Sequence, residues 1–194
     1  MSSGLKTTLI SVAVMLAGVT AAAAPDKESA TAPPAMTTRQ EKAVAEYMLR
    51  EGQALKKRGY TVEKESDGTV IVVTLPAGSL FAPNDTTLME SGAKLLEPLM
   101  AYMAHPDRFK IVVATHSDHT GSPSYKVRLT QARLDAVMNY IDRHASHPEA
   151  AQGYAMADEE PLRPNTNRHY RDINRRVEIY IVPGNALLER LRKK

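Results

Sequence analysis

Residues 109–143 read FKIVVATHSDHTGSPSYKVRLTQARLDAVMNYIDR, an apolar run followed by a polar loop and a long amphipathic stretch. The run at residues 109–115 predicts a buried strand, because branched apolar residues stand in a row within it. Residues 125–143 repeat apolar side chains at helical spacing and therefore predict a helix. A strand that leads through a loop into an amphipathic helix indicates a sheet with helices packed against it.

The chain on either side of this unit predicts more strands and helices. Residues 69–75 are apolar on both strand faces, which indicates a strand that is covered on at least part of both faces. Pro98 should kink or split a helix predicted at residues 86–104. The other predicted elements are a strand at 60–64 that forms a hairpin with 69–75, an edge strand at 153–157, a last strand at 177–181 and a short helix at 185–192. The order predicts an α+β fold (an α/β sandwich): a β-α-β-α-β-β sheet preceded by an N-terminal helix and hairpin.

The N-terminal residues predict export. Residues 1–23 combine a basic start, an apolar run and small residues at its end, the pattern of a secretory signal peptide or of an uncleaved anchor. Residues 24–36 contain three prolines and no apolar period, so they predict a linker. Thr38 and Glu41 form a capping-box pattern at the start of a helix. The remaining predicted units are this N-terminal helix at 37–60, the main domain at 61–183 and a basic C-terminal tail at 184–194.

The composition excludes several classes of protein. The formal net charge is +3 and tryptophan is absent, and no dense basic stripe with aromatic residues points to nucleic acid. Cysteine is also absent, which excludes disulfides, thiol catalysis and a lipidated cysteine. Nothing in the sequence indicates a cofactor. Membrane association is expected only through an uncleaved signal or through a partner.

Arg133 stands out because it lies inside the apolar stripe of the helix at residues 125–143. At about 100° per residue, Leu129, Ala136 and Val137 share the stripe with it. Burying a guanidinium without a counter-anion costs several kcal/mol, on the order of the penalty for any buried ion. Arg133 should therefore meet an acid, a group of carbonyls or an anionic ligand. A structural ion pair or a snorkelling side chain stays open as an alternative.

Asp118 is the acid expected near Arg133, because it follows the end of the preceding strand. Ligands tend to bind near such strand ends in sheets with helices attached. An acid and an arginine together suit a zwitterion, since the acid can take an ammonium and the arginine can bind a carboxylate bidentately. An amino-acid head group carries both charges.

The same residues resemble a family pattern. The segment from Thr115 to Gly121, continued by Tyr125, Leu129, Thr130, Arg133 and Val137, is similar to the peptidoglycan-associating signature of OmpA-like C-terminal domains. Asn174-Arg175-Arg176-Val177-Glu178-Ile179 resembles the closing strand of that family. Phe81, within SLFAPNDTTL, resembles the phenylalanine before the first helix of the family domain.

The resemblance implies a function and a set of site residues. It implies a sheet with helices on one face, which binds the diaminopimelate residue of the peptidoglycan stem peptide without catalysis and so tethers or stabilises the cell envelope. Asp118 would take the ammonium and Arg133 the carboxylate, and Asn84, Thr120 and Arg175 would line the same pocket. The implied location is the periplasm or cell envelope, with outer-membrane association. The implied partners are peptidoglycan and envelope proteins.

The sequence departs from the family pattern at a few positions. Lys126 stands where the family has asparagine, and it is expected either to favour a further carboxylate on the ligand or to weaken ammonium binding. Thr130 stands where the family has serine and keeps the hydroxyl. Leu134 replaces an alanine, and Ala82 replaces an acidic residue.

Two other functions are open on the sequence. An assembly or scaffold protein of the envelope would use the same fold for protein contacts, with Asp118 and Arg133 closed on each other as a buried bridge. A metal-dependent hydrolase would use His116, Asp118 and His119, which are residue types that bind zinc. On an extended chain, however, His119 would face away from the other two. No metal site is therefore predicted.

Overall fold

The computed structural model describes residues 26–193, and these residues form one five-stranded sheet with helices against it. The strands are β1 (Thr61–Glu65), β2 (Val70–Pro76), β3 (Phe109–His116), β4 (Ala151–Ala155) and β5 (Arg176–Pro183). They lie in the order β1-β2-β5-β3-β4. Neighbouring strands are antiparallel except for β3 and β4, which are parallel. The predicted α+β fold is confirmed.

The helices of the described residues connect these strands. They are α1 (Lys27–Thr31), α2 (Thr38–Lys57), α3 (Ala77–Leu80), α4 (Glu90–Leu96), α5 (Pro123–His144), α6 (Arg168–Asn174) and α7 (Asn185–Arg192), with a 3-10 segment at Glu97–Ala104 after α4. Helix α5 makes the crossover between the parallel strands β3 and β4. Because parallel strands need a long connection, the amphipathic helix found in the sequence is also the element that sets the topology.

The helix that contains Pro98 is divided, as the sequence predicts. Helix α4 ends at Leu96, and the chain continues as a 3-10 segment from Glu97. Proline has no backbone N–H and clashes with the preceding turn, so an uninterrupted α-helix is disfavoured there.

The capping box of α2 lies one residue earlier than predicted. The Thr37 hydroxyl accepts a hydrogen bond from the Gln40 amide at 3.3 Å, and the Gln40 side chain accepts one from the Thr37 amide at 3.0 Å. The prediction of Thr38 and Glu41 was therefore wrong by one position. Thr37 with Gln40 satisfies the same sequence pattern, so the pattern alone cannot choose between the two.

Most of the helices cover one face of the sheet, and the other face carries a small second core. The larger core joins the sheet to α2, α5 and α7 through buried residues such as Met48, Val137 and Leu187. The second core lies on the opposite face and consists of Ala30, Val70, Val72, Val112, Ala114, Tyr180 and Val182. Strand β2 contributes to both cores, which confirms that it is covered on both faces.

Helix α1 differs from the linker expected at residues 24–36. Its Ala30 is 1% exposed and packs in the second core, and the Lys27 ammonium lies 2.5 Å from the Glu160 carboxylate. The Asp26 side chain caps the helix by accepting from the Ser29 amide at 2.8 Å. This part of the expected linker is therefore docked on the sheet.

The C-terminal residues form the predicted short helix, α7. Its Leu187 and Leu188 are buried, so the segment expected as a basic tail belongs to the core. The predicted signal peptide at residues 1–23 lies outside the described residues. Within residues 26–193, no helix is both long enough and apolar enough to cross a membrane.

Candidate functional site

Asp118 lies two residues beyond β3, where that strand pairs with the start of β5. The Thr115 hydroxyl donates a hydrogen bond to the Thr130 carbonyl at 2.9 Å, which fixes the strand end to α5. Asp118 is 2% exposed. Its Oδ1 accepts hydrogen bonds from the amide of Thr120 at 2.7 Å and from the Thr120 hydroxyl, and its Oδ2 accepts one from Arg175 Nη1.

These partners keep Asp118 ionised. Burial alone would raise the pKa of Asp118, but the hydrogen bonds from Thr120 and Arg175 outweigh it and the pKa is lowered. A carboxylate offers about four acceptor positions. Three donors occupy them here, so one position is left for a further donor.

Arg133 projects from the buried side of α5 and is 5% exposed. Its Nε donates to the Asp85 carbonyl at 3.0 Å, and its guanidinium carbon lies 5.1 Å from the centre of the Phe81 ring. Its Nη1 is buried and has no hydrogen-bond partner among the described residues. Burial lowers the pKa of Arg133, but a guanidinium keeps its proton at any ordinary pH. A charged donor is therefore left unsatisfied.

The loop after α3 places the carbonyl that Arg133 contacts. Asn84 has a positive φ of 57°, a left-handed conformation that asparagine tolerates better than most residues. The Asp85 carboxylate then accepts hydrogen bonds from the amides of Thr86 and Thr87 at 2.6 and 2.9 Å. The Tyr125 hydroxyl donates to Asn84 Oδ1 at 3.4 Å, which joins this loop to the start of α5.

A cavity of about 630 Å³ opens between these elements. Asp118 and Arg133 both line it and form no salt bridge with each other within residues 26–193. Its other lining residues include the three further predicted site residues, Asn84, Thr120 and Arg175, together with Phe81, Tyr125, Leu129, Arg168 and Asp172. The structure thus brings all five predicted site residues to one pocket, and their role in binding stays a prediction.

Arg175 connects both acids of the pocket. Its Nη1 contacts Asp118 and its Nη2 contacts Asp172, the latter on α6. Arg175 was predicted to line the pocket by resemblance, whereas Asp172 and Arg168 were not predicted. Those two residues stand four positions apart and share one face of α6. Their spacing was readable, but nothing in the sequence indicated that α6 faces the pocket.

Comparison with known proteins identifies the domain. Residues 80–175 match the model of the OmpA family. The chain contains an OmpA-family domain. This span includes Asp118, Arg133 and the other predicted site residues.

Relatives and solved structures also resemble this chain. The probable lipoprotein YiaD of Escherichia coli is 26% identical over 140 residues, which cover 72% of this chain and 62% of that protein. The chain therefore spans less than two thirds of that relative. A MotB-like protein from Desulfovibrio vulgaris superposes with a TM-score of 0.65 at 20% identity, over 75% of this chain and 96% of that one. The cell wall anchor of the type VI secretion system from Pseudomonas aeruginosa superposes with a TM-score of 0.56 at 24% identity. The superposition covers 71% of this chain and 95% of that one.

The side chain of Lys126 in the OmpA-family domain points towards Asp158. It does not line the pocket, and its ammonium lies 2.5 Å from the Asp158 carboxylate. Lys126 is thus turned towards the segment after β4, and its expected effect on ligand binding stays a prediction. Thr130 is fully buried, donates to the Lys126 carbonyl at 2.9 Å and accepts from the Ala157 amide at 3.3 Å. Its hydroxyl therefore holds α5 to that segment.

The residues of the metal-site alternative do not converge. His116 contacts Glu178 at 3.1 Å, whereas Asp118 faces the pocket. The group whose ligand atoms lie within 4.8 Å of one another is instead His116, Glu160 and Glu178. Two cations already neutralise its acids: Lys27 pairs with Glu160, and Arg176 Nε donates to Glu178 at 2.7 Å. This group is therefore a structural ion network beneath α1.

This network was not predicted, although the sequence of β5 carries a signal for it. Arg176, Glu178 and Tyr180 alternate along β5 and so point to one face of the sheet. The Tyr180 hydroxyl donates to Glu178 at 2.7 Å. Burial raises the pKa of Glu178, but its contacts with His116 and Arg176 outweigh this and lower it to about 2. Burial lowers the pKa of His116, so the ring is neutral near pH 7.

Proposed function

We propose that the chain binds peptidoglycan without catalysis, and that its pocket binds the zwitterionic end of diaminopimelate in the stem peptide. The observation that carries this proposal is Arg133, a buried guanidinium whose Nη1 has no partner in the described chain. A buried donor without a partner costs on the order of 1–3 kcal/mol, and more when it is charged. A ligand carboxylate entering the pocket would satisfy it with a charge-assisted hydrogen bond.

Asp118 supplies the complementary charge for the ligand ammonium. The carboxylate is ionised, and Thr120 and Arg175 hold it in a fixed orientation, so little side-chain freedom is lost on binding. Its remaining acceptor position suits a single ammonium. Phe81 forms an apolar wall beside Arg133 and favours the aliphatic stem of the ligand.

This activity would anchor the protein to the wall from the periplasm, in association with the outer membrane and with envelope protein partners. The likeness of the fold to a solved cell wall anchor supports the proposal. In the scaffold alternative, Asp118 and Arg133 would close on each other as a bridge. In the described residues Asp118 pairs with Arg175 and leaves Arg133 without an acid.

The test is cosedimentation of the purified protein with isolated peptidoglycan sacculi. Asp118→Ala and Arg133→Ala should stay in solution while the parent pellets, with circular dichroism to show that both variants fold. Arg128→Ala is the matched control, because Arg128 is an exposed arginine on α5 that does not line the pocket. A parent that stays in solution, or pocket variants that pellet like Arg128→Ala, would contradict the proposal and favour the scaffold function.

A further inference from the structure

The pocket carries more positive charge than one zwitterion can balance. Its charged lining residues are Arg133, Arg168 and Arg175 on the positive side and Asp118 and Asp172 on the negative side. Arg175 contacts both acids. Arg133 and Arg168 therefore have no acidic partner within residues 26–193. The single carboxylate of an amino-acid head group can satisfy only one of them.

Arg168 is placed to meet a separate part of the ligand. It is the first residue of α6, is exposed, and lines the pocket. Asp172 lies one turn later on the same face, a spacing at which an arginine and an acid can pair. The Asp172 carboxylate is bonded to Arg175 instead. The guanidinium of Arg168 is thus left free at the rim of the pocket.

We infer that Arg168 binds a second carboxylate of the ligand, beside the zwitterion held by Asp118 and Arg133. This inference rests on the proposed function. In a stem peptide, the residue joined to diaminopimelate is a glutamate linked through its γ-carboxyl group. Its α-carboxylate takes no part in that linkage and is separated from the amide bond by three carbons. The ligand class assigned to the pocket is therefore a stem peptide in which this carboxylate is free.

The exposure of Arg168 limits how much a second carboxylate can raise the affinity for the ligand. An ion pair at an exposed position is screened by solvent and is weak, so the second carboxylate should raise affinity by roughly three- to five-fold. The Debye length falls from about 10 Å at 0.1 M salt to about 3 Å at 1 M. The gain in affinity should therefore decrease as the salt concentration rises.

The experiment titrates two synthetic tripeptides, Ala-γ-Glu-diaminopimelate with the glutamyl α-carboxyl group either free or amidated, into the purified protein at low salt. In both peptides the diaminopimelate carboxyl group at the peptide C-terminus is amidated, so the glutamyl carboxylate is the only second carboxylate on offer. The parent should bind the free form roughly three- to five-fold more tightly than the amide. Arg168→Gln should bind both forms as the parent binds the amide, and Arg168→Lys should keep part of the preference. Arg128→Gln, the matched removal of an exposed arginine outside the pocket, should keep all of it.

The outcomes separate this inference from the proposed function. Equal binding of both tripeptides by the parent would overturn the second carboxylate site and leave peptidoglycan binding intact. A preference that survives in Arg168→Gln would overturn the assignment to Arg168. Failure of the parent to bind either tripeptide would overturn the inference and the proposed function together.

Discussion

At the scale of single residues, the two faces of the sheet use buried charge in different ways. On the pocket side, Arg133 is left with an unsatisfied donor. On the opposite side, Arg176 donates to Glu178 at 2.7 Å and to the carbonyls of Asn174 and Glu160 at 3.2 and 3.0 Å. A satisfied buried ion contributes to structure, whereas an unsatisfied one favours a ligand.

Glu178→Gln should destabilise the protein strongly near pH 7. The change leaves Arg176, which is 2% exposed, without its acid, and removing one partner of a buried pair costs about 3–5 kcal/mol. Urea unfolding would measure the loss. Glu189→Gln removes an acid that pairs with Arg192 at an exposed site and should leave the midpoint unchanged.

The stability difference between the parent and Glu178→Gln should also depend on pH. The pKa of Glu178 is lowered to about 2 in the folded state, so the unfolded chain takes up its proton first as pH falls. The stability contributed by Glu178 is therefore fully present above its unfolded pKa, near 4.5, and is lost towards pH 2. The difference between parent and Glu178→Gln should shrink over that range. A difference that stays constant from pH 5 to pH 2.5 would contradict this account.

At the scale of elements, the pocket depends on how closely α4 packs against α3. A Cβ added at Gly92 would lie 2.9 Å from the Cα of Leu80 and 3.0 Å from its carbonyl oxygen. Leu80 directly precedes Phe81, and the loop that follows carries Asn84 and Asp85. The closeness of this helix contact therefore sets the position of one pocket wall.

Gly92→Ala should destabilise the protein by about 1–3 kcal/mol, because the backbone of Leu80 must move to admit the methyl group. Thermal unfolding would measure this. Gly78→Ala is the matched control, since a Cβ there meets nothing within 4 Å and its stability should not fall. Equal stability of Gly92→Ala and Gly78→Ala would show that α4 does not set the position of the wall.

Some elements could be predicted from sequence patterns and others could not. Helix α5 and the place of Arg133 on its buried side were predictable, because 22 residues give a clear helical period. Helix α1 was not predictable, because its five residues are too few to show a helical period. The burial of Ala30 and the ion pair of Lys27 stabilise it instead. The direction of Lys126 was not predictable, because a residue at the edge of a stripe can turn towards either neighbour, and here it pairs with Asp158.

At the scale of the whole molecule, the fold brings together residues that are far apart in the chain. Arg175 and Asp118 are separated by 57 positions, and Arg133 and Asp85 by 48. The pairing of β3 with β5 sets His116 opposite Arg176, so the residues beside them meet at the pocket. Local patterns cannot predict such a meeting, and only the family resemblance placed Arg175 there.

If Asp118 and Arg133 together recognise a zwitterion, three small molecules of similar length should bind the protein with different affinities. Diaminopimelate carries both ammonium and carboxylate groups, pimelate carries only carboxylates, and 1,5-diaminopentane carries only ammonium groups. Titration calorimetry with the purified protein should show binding of diaminopimelate and at least roughly tenfold weaker binding of the other two, because each lacks one charge-assisted hydrogen bond. Binding of pimelate or diaminopentane as tightly as diaminopimelate, or no binding of diaminopimelate, would contradict the account.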